Sequence, residues 1–160
     1  MIGLLAVWVQ AWAGQPTVEV ATDGSVVGRV VVEAPESAVR AAIPELQASG
    51  VNSNVLSVVQ TRDGSCTAIQ RSTRGLYRPL QLSTRFCPTA QGWREWLVSS
   101  EDFTAYEAEW TLVPTADGTT VQFRVKSGVN LMVPQSMLTS GTVSGVKETF
   151  EALLRKLTSR

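Results

Sequence analysis

The chain has 160 residues and a mass of 17.3 kDa, one domain by length, and 44% of its residues are hydrophobic, enough to bury a sizeable core. Fourteen Lys and Arg balance fourteen Asp and Glu at a pI of about 6.3, so the basic surplus that a nucleic-acid partner requires is missing. There is no histidine, which removes the usual general base, metal ligand and pH switch together.

The chain opens on a short apolar run, Ile2-Gly3-Leu4-Leu5-Ala6-Val7-Trp8-Val9, followed by Ala11-Trp12-Ala13 and Gly14. A small-x-small pattern after such a run reads as a cleavage site, so residues 1–13 are expected to be a signal peptide, although no Lys or Arg precedes the run. The alternatives are a first strand or a short membrane anchor, and the run is too short to span a bilayer comfortably. An exported protein is the expectation.

Thr17-Val18-Glu19-Val20 and residues 26–33 are β-rich and surround the turn pair Asp23-Gly24, which reads as a hairpin or as one long first strand with an irregular start. Ala34-Pro35-Glu36-Ser37 then opens a helix, with proline at the first helical position and Glu36 complementing the positive end of the dipole. The pair Ile43-Pro44 is expected to break that helix, because the residue before proline is pushed out of the α region. A second short helix over 44–49 would stop at Gly50.

From residue 51 to 126 the apolar pattern has period two, punctuated by turn signals at Asp63-Gly64, Arg74-Gly75, Gln91-Gly92, Glu101-Asp102 and Asp117-Gly118. That predicts a meander of five or six antiparallel strands. In the hairpin around Arg74-Gly75, Ile69, Leu80, Leu82 and Phe86 share the inward face, while Gln70, Ser72, Gln81 and Ser83 share the outward one with Cys66 and Cys87. The two cysteines fall opposite each other and are expected to form a disulfide on the outer face; the alternative is a pair of unrelated buried thiols. Two thiolates without histidine leave zinc short of ligands, so no metal is expected.

Arg71 is the one charged residue that alternation turns inward here. It reads either as an anchor for a ligand's carboxylate, carbonyl or phosphate or as a side chain that snorkels to water at the strand end. Farther along, Tyr106, Ala108, Trp110 and Leu112 point one way and match Val121, Phe123 and Val125. Their outward neighbours Glu107 and Glu109 then oppose Arg124 and Lys126, a solvated face rather than a catalytic carboxylate pair.

After the last strand and an apolar link to Val133-Pro134, a long helical pattern runs to Leu157, with Val146, Phe150, Leu153 and Leu157 on one face. Residues 146–157 are expected to clamp the sheet. Residues 134–145 carry Gly141 and Gly145 one turn apart, which reads either as a poor helix packed closely on the sheet or as the roof of a cavity. Leu131, Met132, Val133, Met137 and Leu138 would surround its mouth, where methionine suits an adaptable surface. No nucleophile-base arrangement, P-loop or GxGxxG is present, and no cofactor is expected.

The order strand, short helices, antiparallel meander and long terminal helix, with Val30-Val31-Val32-Glu33-Ala34-Pro35-Glu36-Ser37-Ala38-Val39, Glu109-Trp110-Thr111-Leu112-Val113-Pro114, Asp117-Gly118-Thr119-Thr120-Val121 and Val133-Pro134, resembles the START-like superfamily of polyketide cyclases and lipid transport proteins over residues 17–158. The resemblance implies an α+β helix-grip fold: six to seven strands wrapped around the long helix, with a hydrophobic cavity between them. It further implies a lipid, sterol, quinone or polyketide-like ligand. Arg40, where relatives often carry a bulky aromatic, and the export signal both weaken a cyclase reading. The expected function is therefore an exported carrier of a small hydrophobic ligand that meets a membrane only transiently, for ligand exchange. The cyclase and an interaction domain with a filled core are the alternatives. Ile69, Arg71, Leu82, Trp110, Phe123, Met132, Met137, Gly141 and Gly145 are the candidate ligand contacts.

Overall fold

The computed structural model describes residues 15–50 and 53–159; the expected signal peptide lies outside the described residues. Ten elements follow in chain order: β1 (Thr17–Val20), β2 (Val26–Val32), α1 (Glu36–Ser49), β3 (Val55–Asp63), β4 (Cys66–Thr73), β5 (Leu80–Thr89), β6 (Gly92–Ser99), β7 (Phe103–Thr115), β8 (Gly118–Val129) and α2 (Gln135–Thr158). The strands form one antiparallel sheet in the order β1-β2-β8-β7-β6-β5-β4-β3. The sheet is open, with β1 and β3 as its edges, and has eight strands where six to seven were expected. The first β-rich stretch forms a true hairpin, Val20 pairing with Val26, which supplies β1 as a strand of its own.

The second departure is in α1. It runs unbroken from Glu36 to Ser49 with Pro44 inside it, so the two expected short helices are one. Proline removes the N–H that would bond the carbonyl four residues back, and leaving that group bare is the main reason a break is expected. Here the stranded carbonyl belongs to Arg40, and the Trp93 indole N–H donates to it at 3.1 Å from β6. The Arg40 guanidinium in turn pairs with Glu36 at 2.6 Å and donates to the carbonyls of Thr89, Ala90 and Gly92, fastening α1 to the β5–β6 turn. Pro35 stands just outside the helix, in extended conformation, where it leaves no amide unsatisfied. Gly50 ends α1 in the left-handed region, φ 60°, a conformation that a side chain would strain.

Alternation settles the sheet faces. Thr67 pairs with Phe86, which places Cys66 opposite Cys87, and the two are joined by a disulfide with Cα atoms 4.3 Å apart. In the last hairpin Glu107 pairs with Lys126 and Glu109 with Arg124, the register read from the sequence. The ion pairs go elsewhere: Glu107 binds Arg94 at 2.8 Å, and Arg124 reaches Asp23 in the β1–β2 turn. A residue in an interior strand has a neighbour on each side, and the long guanidinium reaches whichever carboxylate its rotamer favours.

The core lies between the inner sheet face and the C-terminal half of α2. Val146, Phe150 and Leu153 are buried there against Trp110 and Phe123, with Phe150 meeting both rings edge-on. Burying a side chain such as Phe150 stabilises by about 2–3 kcal/mol. Gly28 in β2 makes the approach possible, because a Cβ there would lie 2.2 Å from the Phe150 ring.

Candidate ligand cavity

The N-terminal half of α2 carries no aromatic side chain, its large apolar residues Met137 and Leu138 line rather than fill the space, and beneath it a cavity of about 690 Å³ remains between helix and sheet. Small residues make the roof: Gly141, Thr142 and Gly145 all face the space, and a Cβ built on Gly141 meets nothing within 4 Å. The floor is formed by Leu82 of β5, Phe123 and Val125 of β8 and Tyr106 of β7. Leu46, Gln47 and Gly50 at the end of α1 close one side. The open side lies where the loop between β4 and β5 faces the link between β8 and α2. Tyr77 is 97% exposed on the first and Met132 fully exposed on the second, with Leu76 and Met137 beside them.

Of the residues named from the sequence, Arg71, Leu82, Phe123, Met132, Met137, Gly141 and Gly145 stand at the cavity wall. Ile69 and Trp110 do not. Both face inward but lie in the packed core, Trp110 stacked on Phe123 at 4.0 Å between centroids. Inward orientation is a property of the strand, whereas access to a void depends on where the helix above is thin. The Trp110 indole nitrogen is buried without a hydrogen-bond partner.

Arg71 does not snorkel to water. It is 7% exposed, and its Nη1 donates to Glu95 Oε2 at 2.9 Å. Its Nη2 donates to Gln47 Oε1 at 2.9 Å and more weakly to Glu95 Oε1 at 3.5 Å. Glu95, 1% exposed, also accepts from the Thr84 hydroxyl at 2.6 Å. Burial is the largest single influence and opposes the guanidinium's charge, but Glu95 and Tyr106 acting together hold the pKa of Arg71 above its ordinary value. Tyr106 sits alongside, its ring centroid 5.9 Å from Arg71 Cζ. Burial first and the Glu95 charge second push its phenol above the usual tyrosine range, so it remains a proton donor at any physiological pH.

Glu95, Thr84 and Gln47 are the members of this cluster that the sequence reading missed. Thr84 could have been found, since it alternates with Leu82 and Phe86. Glu95 could not: in β6 the two faces hold Trp93 with Glu95 and Arg94 with Trp96, so each contains one tryptophan and one charge, and period two does not choose between them. Only pairing with Phe86 and Ala108, both inward, turns Glu95 in.

An antiparallel sheet gripping a long C-terminal helix over a cavity is the START-like architecture, and this chain has that fold. No family model matches the sequence, and no curated protein matches it by sequence. Among solved structures it is similar to a START superfamily protein from Mycobacterium smegmatis, with 18% identity and a TM-score of 0.69 over 84% of this chain and 97% of that one. It is also similar to the STAR-related lipid transfer protein of Xanthomonas axonopodis, at 16% identity and TM-score 0.63 over 86% of this chain and 92% of that fragment. The Zhui aromatase/cyclase from a Streptomyces strain matches at 12% identity and TM-score 0.65, over 83% and 94%.

Proposed function

We propose that the protein is a carrier of a small hydrophobic molecule, held between the inner sheet face and the N-terminal half of α2. The observation that carries this reading is the cavity itself: about 690 Å³ of space beneath Gly141 and Gly145, in the size range of sites that enclose a small organic ligand, bounded mostly by apolar side chains. Apolar burial would supply affinity, and Arg71 with Tyr106 orientation. That the similar folds include a lipid transfer protein supports the class. A void of this size argues against an interaction domain whose core is filled. A cyclase would need a group that takes up a proton near neutral pH, and no carboxylate is among the described residues of the cavity wall, where Arg71 and the Tyr106 phenol both hold their protons.

The carrier acts outside the cytoplasm in this reading, with residues 1–13 removed and residues 17–158 forming the ligand-binding domain. The Cys66–Cys87 disulfide supports export, since such bonds persist in oxidising compartments. Membrane contact is confined to ligand exchange through the apolar rim around Tyr77 and Met132. Native mass spectrometry of the purified protein, with solvent extraction of its contents, tests the carrier reading: a co-purifying apolar molecule supports it, and a chain that arrives empty and takes up no apolar probe ends it. N-terminal sequencing of the mature protein tests the export reading, which a chain beginning at Met1 would end.

A further inference from the structure

We propose that the cavity selects an uncharged apolar molecule bearing a carbonyl-type oxygen at its polar end, read by Arg71, Gln47 and Tyr106, and discriminates against the corresponding carboxylate. The inference rests on the carrier reading and adds the chemistry of the ligand's head.

The argument is one of charge and donor count. Among the described residues Arg71 is the one ionised group on the inner wall; Arg74 and Arg78 lie at the mouth, Arg78 paired with Asp102. The charge of Arg71 is already matched by Glu95, which lies behind it, out of the cavity and almost wholly out of water. A ligand carboxylate brought against Arg71 would place a second anion near Glu95 with one cation between them. Its lost hydration would not be restored, and a buried charge without its own partner is strongly disfavoured. A carbonyl oxygen costs far less to bury and needs only hydrogen-bond donors.

Donors are what the cluster presents. A guanidinium has five N–H groups, and three hydrogen bonds, two to Glu95 and one to Gln47, are made from its two terminal nitrogens. Arginine cannot accept, so the Gln47 oxygen must be the atom facing it, which leaves the Gln47 amide N–H₂ free to donate. Tyr106, also on the cavity wall with its ring 5.9 Å from Arg71 Cζ, carries a further O–H donor. Three donor groups without a free anion complement a ketone, ester, amide or quinone oxygen. Arg74 at the mouth could attract a carboxylate that binds head-outward, but that attraction acts in water and is screened by salt.

The test is competition against the neutral dye Nile red, bound to the full-length protein at pH 8 in roughly 0.5 M salt, which suppresses the mouth arginine. Methyl laurate and 2-dodecanone are expected to displace the dye at concentrations at least tenfold lower than laurate. Glu95→Gln keeps the size and the one acceptor oxygen that Arg71 Nη1 and Thr84 share, gives up the weak 3.5 Å bond from Nη2 and leaves the charge of Arg71 unmatched, and is expected to narrow that gap at least tenfold in favour of laurate. The double variant Arg71→Met with Glu95→Gln is expected to weaken the ketone about tenfold. Laurate competing as well as its ester against the native protein overturns the inference, as does a folded Glu95→Gln variant with an unchanged ratio. If Glu95→Gln does not fold, the comparison on the native protein decides alone. A protein that binds neither the dye nor any competitor removes the carrier reading and this inference with it, whereas one that binds laurate best removes only the inference.

Discussion

The Trp93 indole nitrogen lies 3.1 Å from the Arg40 carbonyl oxygen, the acceptor that Pro44 leaves without a partner in α1. Trp93 also stacks on Phe86 at 4.8 Å between centroids, so its ring is fixed from the sheet side before it serves the helix. Replacing Trp93→Phe keeps the stacking and deletes the donor, and is expected to cost about 1–2 kcal/mol in urea unfolding, the usual penalty for a part-buried polar group left bare. In a Pro44→Ala background residue 44 can bond Arg40 itself, so the cost of Trp93→Phe should fall to a few tenths of a kcal/mol. Equal costs in the two backgrounds would show that the indole does not substitute for the missing helix bond.

Gly141→Leu adds a side chain where open space lies under the helix. Leucine is the better helix former by roughly 0.5–1 kcal/mol, so thermal stability should rise or hold. Affinity for an apolar probe such as Nile red should fall at least tenfold as the cavity fills. Undiminished uptake in a protein of equal or greater stability would place the probe somewhere other than beneath α2.

The Cys66–Cys87 bond closes a loop 21 residues apart in sequence and clasps β4 to β5 on the outer face. On the chain-entropy model its removal costs about 3 kcal/mol. The Cys66→Ser, Cys87→Ser double variant is therefore expected to lose about that much stability while still taking up an apolar probe such as Nile red, because neither cysteine reaches the cavity wall. Loss of probe uptake by the folded variant would instead tie the clasp to the shape of the cavity.

Asp102, 2% exposed, accepts from Arg78 and from the Gln81 amide at 2.8 Å, and the Arg78 hydrogen bond, followed by that amide, holds its carboxyl below the usual aspartate range. The unfolded chain takes up a proton at higher pH than the folded one. The stabilisation from Asp102 is thus fully present above the ordinary aspartate pKa and is lost as pH falls below it toward the folded value. Melting temperatures followed downward from pH 6 should drop more steeply for the native protein than for Asp102→Asn, which starts lower and has less to lose. Parallel curves would assign the acid sensitivity to other carboxylates.

Much of the architecture was legible from residue order because strand alternation is a local property. The register of Cys66 with Cys87, the inward turn of Arg71, the match of Trp110 with Phe123 and the clamping face of Val146, Phe150 and Leu153 all depend on spacing within one or two adjacent segments. What escaped depends on segments brought together from a distance. Pro44 breaks a helix unless a donor arrives from 53 residues away at Arg40, and no local rule supplies Trp93. Arg71 reads from its own strand as a ligand anchor or a snorkelling side chain, and nothing local shows that Glu95, 24 residues away, is turned toward it by strands on either side. The cavity is the clearest case: a void is the volume that several elements together fail to fill, so Gly141 and Gly145 could suggest it, but only the packing of α2 over the sheet determines that the space exists and that Ile69 and Trp110 are left out of it.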